Sequence, residues 1–136
     1  MYRIEKYTLT RFTVELDRLI GDSQISTKQL SMGTLELEDN MGHVGTGFFH
    51  TVTMPLPSLA ELEVRFQREL ADDLIGTNPF SWTNRLKRPR GGNVKPSIFD
   101  PSVEQAMWDI QGKILDMPLY KLLGGNREKV PAYASG

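Results

Sequence analysis

The sequence predicts an α+β domain in which a three-stranded antiparallel meander is followed by three to four helices. The first half is rich in β-branched and aromatic residues and is interrupted by polar turn clusters. The second half repeats apolar residues every three to four positions, between signals that start and stop helices. A length of 136 residues suits one domain with a single core.

Three runs of alternating or β-branched residues define the strands of the predicted meander. They are Tyr2–Leu16, Leu30–Glu38 and His43–Phe49. The polar stretch Asp17–Lys28 is predicted to be a long first connection, and Asp39–Gly42 is predicted to be the turn of a hairpin. Because the alternation is out of phase near Tyr7 and Leu9, we expect a β-bulge or a twist there rather than a flat strand.

The first predicted helix begins at Ser58, which matches a capping box with Glu61, and it stops at Gly76. One apolar stripe runs along it, formed by Leu59, Leu62, Phe66, Leu70 and Leu74. A less regular segment follows, with Asn78, Pro79, Phe80, Trp82 and Leu86. These signals predict one amphipathic helix and a short second one.

Two further helices are predicted near the end of the chain. Asp100 is the expected N-cap of the longer one, with Pro101 in its first turn and Met117-Pro118 at its end. Its apolar face consists of Val103, Met107, Ile110 and Ile114. The shorter helix holds Leu119, Leu122 and Leu123 and is closed by Gly124 and Gly125. Gly112 costs about 1 kcal/mol in a helix relative to alanine, so we expect another backbone to pack against it.

The composition excludes several classes of function. A net charge of −1 provides no field that would attract nucleic acid or an anionic membrane, and no apolar run is long enough to span a bilayer. The absence of cysteine excludes thiol chemistry and agrees with a cytoplasmic location. We expect the basic stretch Arg85–Lys95, which Pro and Gly interrupt, to be a solvated loop rather than a nucleic-acid site.

No complete catalytic or metal-binding constellation stands out in the sequence. The glycines of Gly42–Gly47 lack GxGxxG spacing, so we expect them to admit another backbone or a ligand rather than a phosphate. His43 and His50 have no partner at metal-ligand spacing and are interpreted as turn or rim residues. Asp109 could be an active-site acid, but we favour a helix residue that bonds to a neighbouring loop or domain.

The run AMWDIQGKILDMPLYKLLGG (residues 106–125), followed by REKVPAYASG, carries a family resemblance. It resembles the hallmark ALWDIxGKxxGxPLYxLLGG of the mandelate racemase and muconate lactonizing enzyme branch of the enolase superfamily. Met107 replaces the usual Leu, and Asp116-Met117 the usual Gly. The resemblance implies an enolase N-terminal domain-like fold, with residues 1–128 as a capping (lid) domain. Residues 129–136 would begin the first strand of a TIM-like barrel.

The resemblance also implies a chemistry that this chain does not carry alone. Such enzymes abstract the α-proton of a carboxylate substrate and stabilise the resulting enediolate on Mg²⁺, with bases and metal ligands at the strand ends of the barrel. A barrel of this class needs about 250 residues, so we expect this chain to be an inactive piece of a larger racemase, epimerase or dehydratase. The expected partners are the barrel, a small hydroxy or sugar acid and, as a homo-oligomer, further copies.

Two loops of the capping domain close over the substrate in such enzymes. The resemblance places the first at residues 18–23, with Arg18, Leu19 and Ile20, and the second at residues 48–51. Phe48, Phe49 and His50 are the candidate substrate-binding residues of the second loop, although either Phe48 or Phe49 could belong to the core. Phe48 replaces the Glu that many members carry after Gly-x-Gly.

Two other functions compete with the lid interpretation. One is a free-standing, non-enzymatic interaction module that binds a partner through the helical half. The other is a nucleic-acid binder that uses Arg85–Lys95. If the domain stands alone, the face around Trp108, Gly112 and Leu119 is expected to leave apolar area exposed and to favour self-association.

Overall fold

The computed structural model describes residues 1–21, 23, 26–51, 54–82 and 97–134. Within these, three antiparallel strands form one sheet in the order β1-β2-β3, so the predicted fold class is confirmed. The strands are β1 (Ile4–Gly21), β2 (Ser26–Asp39) and β3 (Val44–His50). The helices are α1 (Leu59–Phe66), a π-helical segment (Gln67–Ala71), α2 (Asp72–Leu74), α3 (Pro79–Trp82), α4 (Asp100–Ile114) and α5 (Leu119–Leu122).

The first two strands are longer than the sequence predicts. Most of the predicted connection Asp17–Lys28 belongs to β1 and β2, which pair as far as Gly21 and Ser26. Polar residues are tolerated there because both faces of this paired segment are exposed, so no apolar alternation is required. Where β3 has ended, the two strands continue as a two-stranded β-ribbon (residues 13–21 and 26–31).

The predicted bulge near Tyr7 and Leu9 is wrong, because pairing with β2 is regular from Lys6 to Glu15. The register shifts instead between Ile4 and Lys6 and between Glu15 and Ile20. The first shift explains the change of phase: an extra residue at position 5 allows both Ile4 and Leu9 to face the core.

The core lies between one face of the sheet and the helices. Leu9, Leu35 and Leu37 cover the sheet side, and Phe66 and Phe99 cover the helix side. The ring centroids of Phe66 and Phe99 are 5.1 Å apart in an edge-to-face arrangement. The predicted stripes of the long helices are buried at most positions, except that Leu59, at the start of α1, is 38% exposed.

The glycines of β3 bring helix α4 against the sheet, as the sequence predicts for close backbone approach. A Cβ added to Gly45 would lie 2.1 Å from the Ala106 carbonyl oxygen, and one added to Gly47 would lie 1.9 Å from that of Ser102. A Cβ on Gly112 would be 3.0 Å from the Met117 oxygen, which confirms the predicted contact there. The sheet and α4 therefore meet backbone to backbone.

The helix ends agree with the predictions in all but one case. Ser58 and Glu61 form the capping box, and Gly76 ends the first helix with φ +83°. Asp100 is not the N-cap of α4: Phe99 takes that position, and the Asp100 carboxylate accepts the Ser97 N–H at 2.9 Å. The carboxylate thus fixes the turn before the helix instead of the first helical amides.

Two predicted features fall outside the part of the chain that the structure describes. They are Leu86 and the basic stretch Arg85–Lys95. None of the helices in the described ranges combines the length and apolar character that crossing a bilayer requires.

Candidate functional site

The first candidate segment, with Arg18, Leu19 and Ile20, lies on β1 rather than in a loop. It occupies the second register shift, where residues 16–19 of β1 face Lys28 alone on β2. Such a bulge turns side chains away from the regular alternation. Leu19 and Ile20 are 59% and 49% exposed, and Arg18 is also exposed. Asp22, in the same predicted loop, lies outside the described residues.

The second candidate segment divides between the core and the solvent. Phe49 is 2% exposed and packs over Gly33, so the structure shows the core alternative for this residue. Phe48 is 47% exposed on the opposite face of the sheet. His50 is exposed on that same face and pairs with Met32.

The two segments point toward the same end of the sheet but are not in contact. Phe48 pairs with Thr34 on β2, whereas Ile20 pairs with Thr27, seven residues further along the strand. At about 3.3 Å per residue this separates them by about 23 Å. One small acid could not touch both in this arrangement unless the β-ribbon bends toward β3.

Apolar side chains that the sequence analysis did not assign to a site extend from Phe48 into the space between the two segments. They share the face of the sheet that the helices leave open, and we call them the open-face patch: Phe12, Val14, Leu30, Met32 and Phe48. Phe12 and Met32 lie in one row with His50 across the three strands. The alternation of Phe12 and Val14 in the sequence indicated an apolar face of the sheet. It did not show that the helices pack on the opposite face and leave this one uncovered.

Helix α4 holds β3 through three side chains spaced four residues apart. Gln105 accepts the Phe48 N–H at 3.0 Å, and Asp109 accepts the Thr46 N–H at 2.9 Å. Lys113 donates to the Val44 carbonyl at 2.5 Å and to Asp109 at 2.8 Å. These bonds occupy the outer edge of β3, which would otherwise be free to pair with another strand.

Asp109 is therefore a helix residue that bonds to a neighbouring strand, as the sequence analysis favoured. Residues Asp109, Gly112 and Lys113 all belong to the run that carries the family resemblance. In this structure the run joins α4 to the sheet and to the turn that follows the helix.

Asp39 organises the hairpin turn between β2 and β3. Its buried carboxylate accepts the N–H groups of Met41 (2.9 Å) and His43 (2.8 Å), and it lies 2.9 Å from His43 Nδ1. Burial pushes the Asp39 pKa upward, but these hydrogen bonds and the nearby imidazole outweigh it, so the pKa is lowered. His43 is a turn residue, as its sequence context indicates.

The described residues do not fit a magnesium site. Mg²⁺ is usually bound by one or two carboxylates together with waters or substrate oxygens. Across residues 1–82 and 97–134, apart from the few positions not described, no three His, Asp or Glu side chains come together to hold a metal ion. The carboxylates of Asp39 and Asp109 are occupied by backbone amides.

The comparison with protein families identifies the class of this fold. Residues 13–124 match the family described as mandelate racemase / muconate lactonizing enzyme, N-terminal domain. The match spans most of the chain and includes the second half of β1, all of β2 and β3, α1 and α4. The chain belongs to this family, which confirms the resemblance read from residues 106–125.

Curated relatives include two enzymes that act on sugar acids, judged by their names. A D-galactonate dehydratase from Pectobacterium atrosepticum is 41% identical over 73 residues, which cover 48% of this chain and 19% of that protein. A 3,6-anhydro-alpha-L-galactonate cycloisomerase from Streptomyces coelicolor is 28% identical over 127 residues, covering 88% of this chain and 34% of that protein. The chain thus spans about a third or less of these relatives.

Solved structures share the fold. A Mesorhizobium loti protein provisionally assigned as a mandelate racemase is 35% identical with a TM-score of 0.80, covering 91% of this chain and 32% of that one. A dipeptide epimerase from Enterococcus faecalis V583, complexed with Mg and the dipeptide L-Leu-L-Tyr, is 20% identical with a TM-score of 0.71. It covers 90% of this chain and 35% of the epimerase, and at that identity the likeness shows the fold alone.

Proposed function

We propose that this chain is the substrate-specificity lid of an enolase-superfamily enzyme that acts on a small hydroxy or sugar acid. The observation that carries the proposal is the exposure of Leu19, Ile20 and Phe48, apolar side chains that the core does not use. Contiguous exposed apolar side chains commonly mark a binding surface, and the open-face patch lies between these two segments. Arg18 and His50 add a cation and a hydrogen-bonding ring beside them.

We assign the catalytic residues of the proposed enzyme to a C-terminal barrel and not to the described residues. We assign residues 1–128 to the lid and residues 129–136 to the first barrel strand. Exposed apolar side chains on and after α5, such as Tyr120 and Leu123, provide a surface on which the barrel would dock. Proton abstraction α to a carboxylate, with Mg²⁺, is the reaction that family membership supports. The chain alone is expected to be inactive.

The proposed reaction is that of a racemase, epimerase or dehydratase. One curated relative is named as a D-galactonate dehydratase and another as a 3,6-anhydro-alpha-L-galactonate cycloisomerase, which supports a sugar-acid substrate and leaves the type of reaction to the substrate screen. We place the enzyme in the cytoplasm, in agreement with a chain free of cysteine, and expect a homo-oligomer.

The lid segments are proposed to exclude water and to contact the end of the substrate remote from the reacting carbon. Phe48 and His50 sit at the end of the three-stranded sheet and are the first contacts. Most side chains of the β-ribbon are exposed, so few contacts oppose a bend that brings Leu19 and Ile20 closer.

The test is a substrate screen of the full-length gene product on hydroxy and sugar acids with Mg²⁺. Phe48→Ala and Ile20→Ala are expected to raise KM by about fivefold or more while changing kcat little, because they remove binding common to substrate and transition state. Val64→Ala is the matched control, since Val64 is equally apolar and 69% exposed but lies on α1. Lid variants that behave like the control, or an enzyme inactive on every acid, would refute the proposal.

The open-face patch favours one second candidate, a non-enzymatic interaction module. Its five apolar side chains form a continuous surface that the helices do not cover. A gene that ends at this domain, together with tight binding of a protein partner that Phe12→Ser abolishes, would support the module instead of the lid.

A further inference from the structure

The side chain of Arg11 connects β1 to the chain that leaves the second candidate segment. Arg11 lies on the core-facing side of the sheet, in one row with Gly33 and Phe49. Its Nε donates to the Pro57 carbonyl at 2.8 Å and its Nη2 to the Leu56 carbonyl at 3.0 Å. A third bond runs from Nη1 to Thr13 Oγ1, at 3.1 Å on the same strand.

These bonds determine where the connection from β3 to α1 crosses the sheet. The connection leaves β3 beside His50 and reaches β1, two strands and about 10 Å away, at Leu56. Near its start, the Thr51 hydroxyl donates to the Met54 carbonyl. At its end, the buried Leu56 side chain and the Ser58 capping box fix the chain before α1.

Only an arginine can make this set of bonds from this position. Its rigid planar fork presents several N–H donors, so two consecutive carbonyls and a hydroxyl can be bound at once. All of the acceptors that the described residues offer Arg11 are neutral oxygens. A lysine has one flexible ammonium group and could not hold both carbonyls in the same geometry.

Arg11 also links the strand that carries the first candidate segment to the chain that follows the second. Arg11 is on the strand that carries Leu19 and Ile20, and its carbonyl partners belong to the connection that follows Phe48 and His50. Met54, in that connection, is 71% exposed, so it presents an apolar side chain whose position depends on the course of the chain.

We propose that Arg11 is a positioning residue for substrate specificity: by binding the Leu56 and Pro57 carbonyls it fixes the chain that follows the second lid segment. The specificity part of this inference rests on the proposed lid function, whereas the anchoring part does not. Arg11 touches no reacting atom, and its effect passes through Thr51 and Met54.

Backbone ¹⁵N relaxation of the 136-residue chain tests the anchoring. In Arg11→Met the order parameters of the Met54 and Leu56 amides are expected to fall from about 0.85 to below about 0.6, while those of α4 stay unchanged. Arg11→Lys should give intermediate values. Arg3→Met is the matched control, because Arg3 lies just before the same strand and, among the described residues, its guanidinium bonds to the exposed Glu5 side chain. Unchanged order parameters in Arg11→Met, or a lysine variant identical to the parent, would overturn the inference.

Kinetics of the full-length gene product separate the inference from the proposed function. Arg11→Met is expected to raise KM by about fivefold or more with kcat within about twofold, a split that general destabilisation would not produce. If the order parameters fall but KM is unchanged, the anchoring stands and the specificity part of the inference fails, whereas Phe48→Ala and Ile20→Ala decide the lid function separately. If the order parameters are unchanged, the anchoring fails whatever the value of KM. If Arg11→Met does not fold, Arg11→Lys carries both measurements.

Discussion

Replacing Gly47 with alanine tests whether helix α4 packs directly on the backbone of β3. The added Cβ would lie 1.9 Å from the Ser102 carbonyl oxygen and 2.6 Å from its carbon. Both atoms belong to the helix backbone, so no side chain can rotate away to make room. To restore an ordinary contact of at least 3.4 Å, the helix must retreat by about 1.5 Å.

The loss of folding free energy follows from the contacts that this displacement of the helix breaks. The face of α4 toward the sheet is completely buried and consists of Val103, Ala106, Met107 and Ile110. A gap of 0.5–1 Å already forfeits about a quarter to a half of the dispersion energy of each contact. Ordinary overpacking costs about 1–3 kcal/mol, and a backbone clash belongs at or above the upper limit. We expect Gly47→Ala to destabilise the domain by about 3–5 kcal/mol, a large part of the 5–15 kcal/mol typical of such domains.

Urea unfolding, followed by tryptophan fluorescence and far-ultraviolet circular dichroism, measures this loss. Gly42→Ala is the control, because Gly42 has φ +85° but no atom within 4 Å of the added Cβ. It is expected to lose only about 1 kcal/mol through backbone strain. If Gly47→Ala is no more destabilising than Gly42→Ala, the helix does not pack on the strand backbone as described.

Four further variants test the core, the strand edge and the turn. Phe49→Ala is expected to lower the free energy of unfolding by about 3–5 kcal/mol, and Phe48→Ala by less than about 1 kcal/mol. Similar losses for the two variants, measured by calorimetry, would contradict their assignment to opposite faces of the sheet. Asp109→Ala leaves the Thr46 N–H without its acceptor and should lower the free energy of unfolding by about 1–3 kcal/mol. Hydrogen exchange at the Thr46 amide should become faster, and an unchanged exchange rate would exclude the bond. Folding lowers the Asp39 pKa, so the ionised carboxylate stabilises the folded state above about pH 4, and this stabilisation is lost as the pH falls further. Asp39→Asn should therefore make the urea unfolding midpoint less sensitive to acid. An identical pH profile in the variant would show that another carboxylate is responsible.

The features predicted correctly from sequence depend on local chemistry. The capping box needs only Ser58 and Glu61, three residues apart, and the helix stop needs only Gly76. The close approach at Gly45 and Gly47 was also predictable, because a glycine inside a strand offers no side chain to pack and usually makes room for something else. The sequence did not show that the incoming backbone is that of α4.

The features predicted wrongly depend on which segments pair. Residues 17–28 carry polar side chains typical of a loop, yet those up to Gly21 and from Ser26 onward form strands because β1 and β2 pair beyond the end of β3. The bulge at position 5 was missed because the sequence shows it only as a change in the phase of the apolar alternation, and that change appears several residues further along the strand. Asp100 has the residue type of an N-cap, but its carboxylate bonds to Ser97 before the helix.

The residues that identify the family and the residues proposed to select the substrate are different sets, and this limits what sequence can predict. Asp109, Gly112 and Lys113 are recognisable because each makes a backbone contact that the fold needs. Leu19, Ile20 and Phe48 make no such contact through their side chains, so folding leaves their identity free to follow the substrate. Membership of the family therefore fixes how α4 holds the sheet but does not identify a substrate. In the proposed lid, substrate choice would depend on exposed side chains whose positions are set by the bulge in β1, the edge bonds of β3 and the anchor at Arg11.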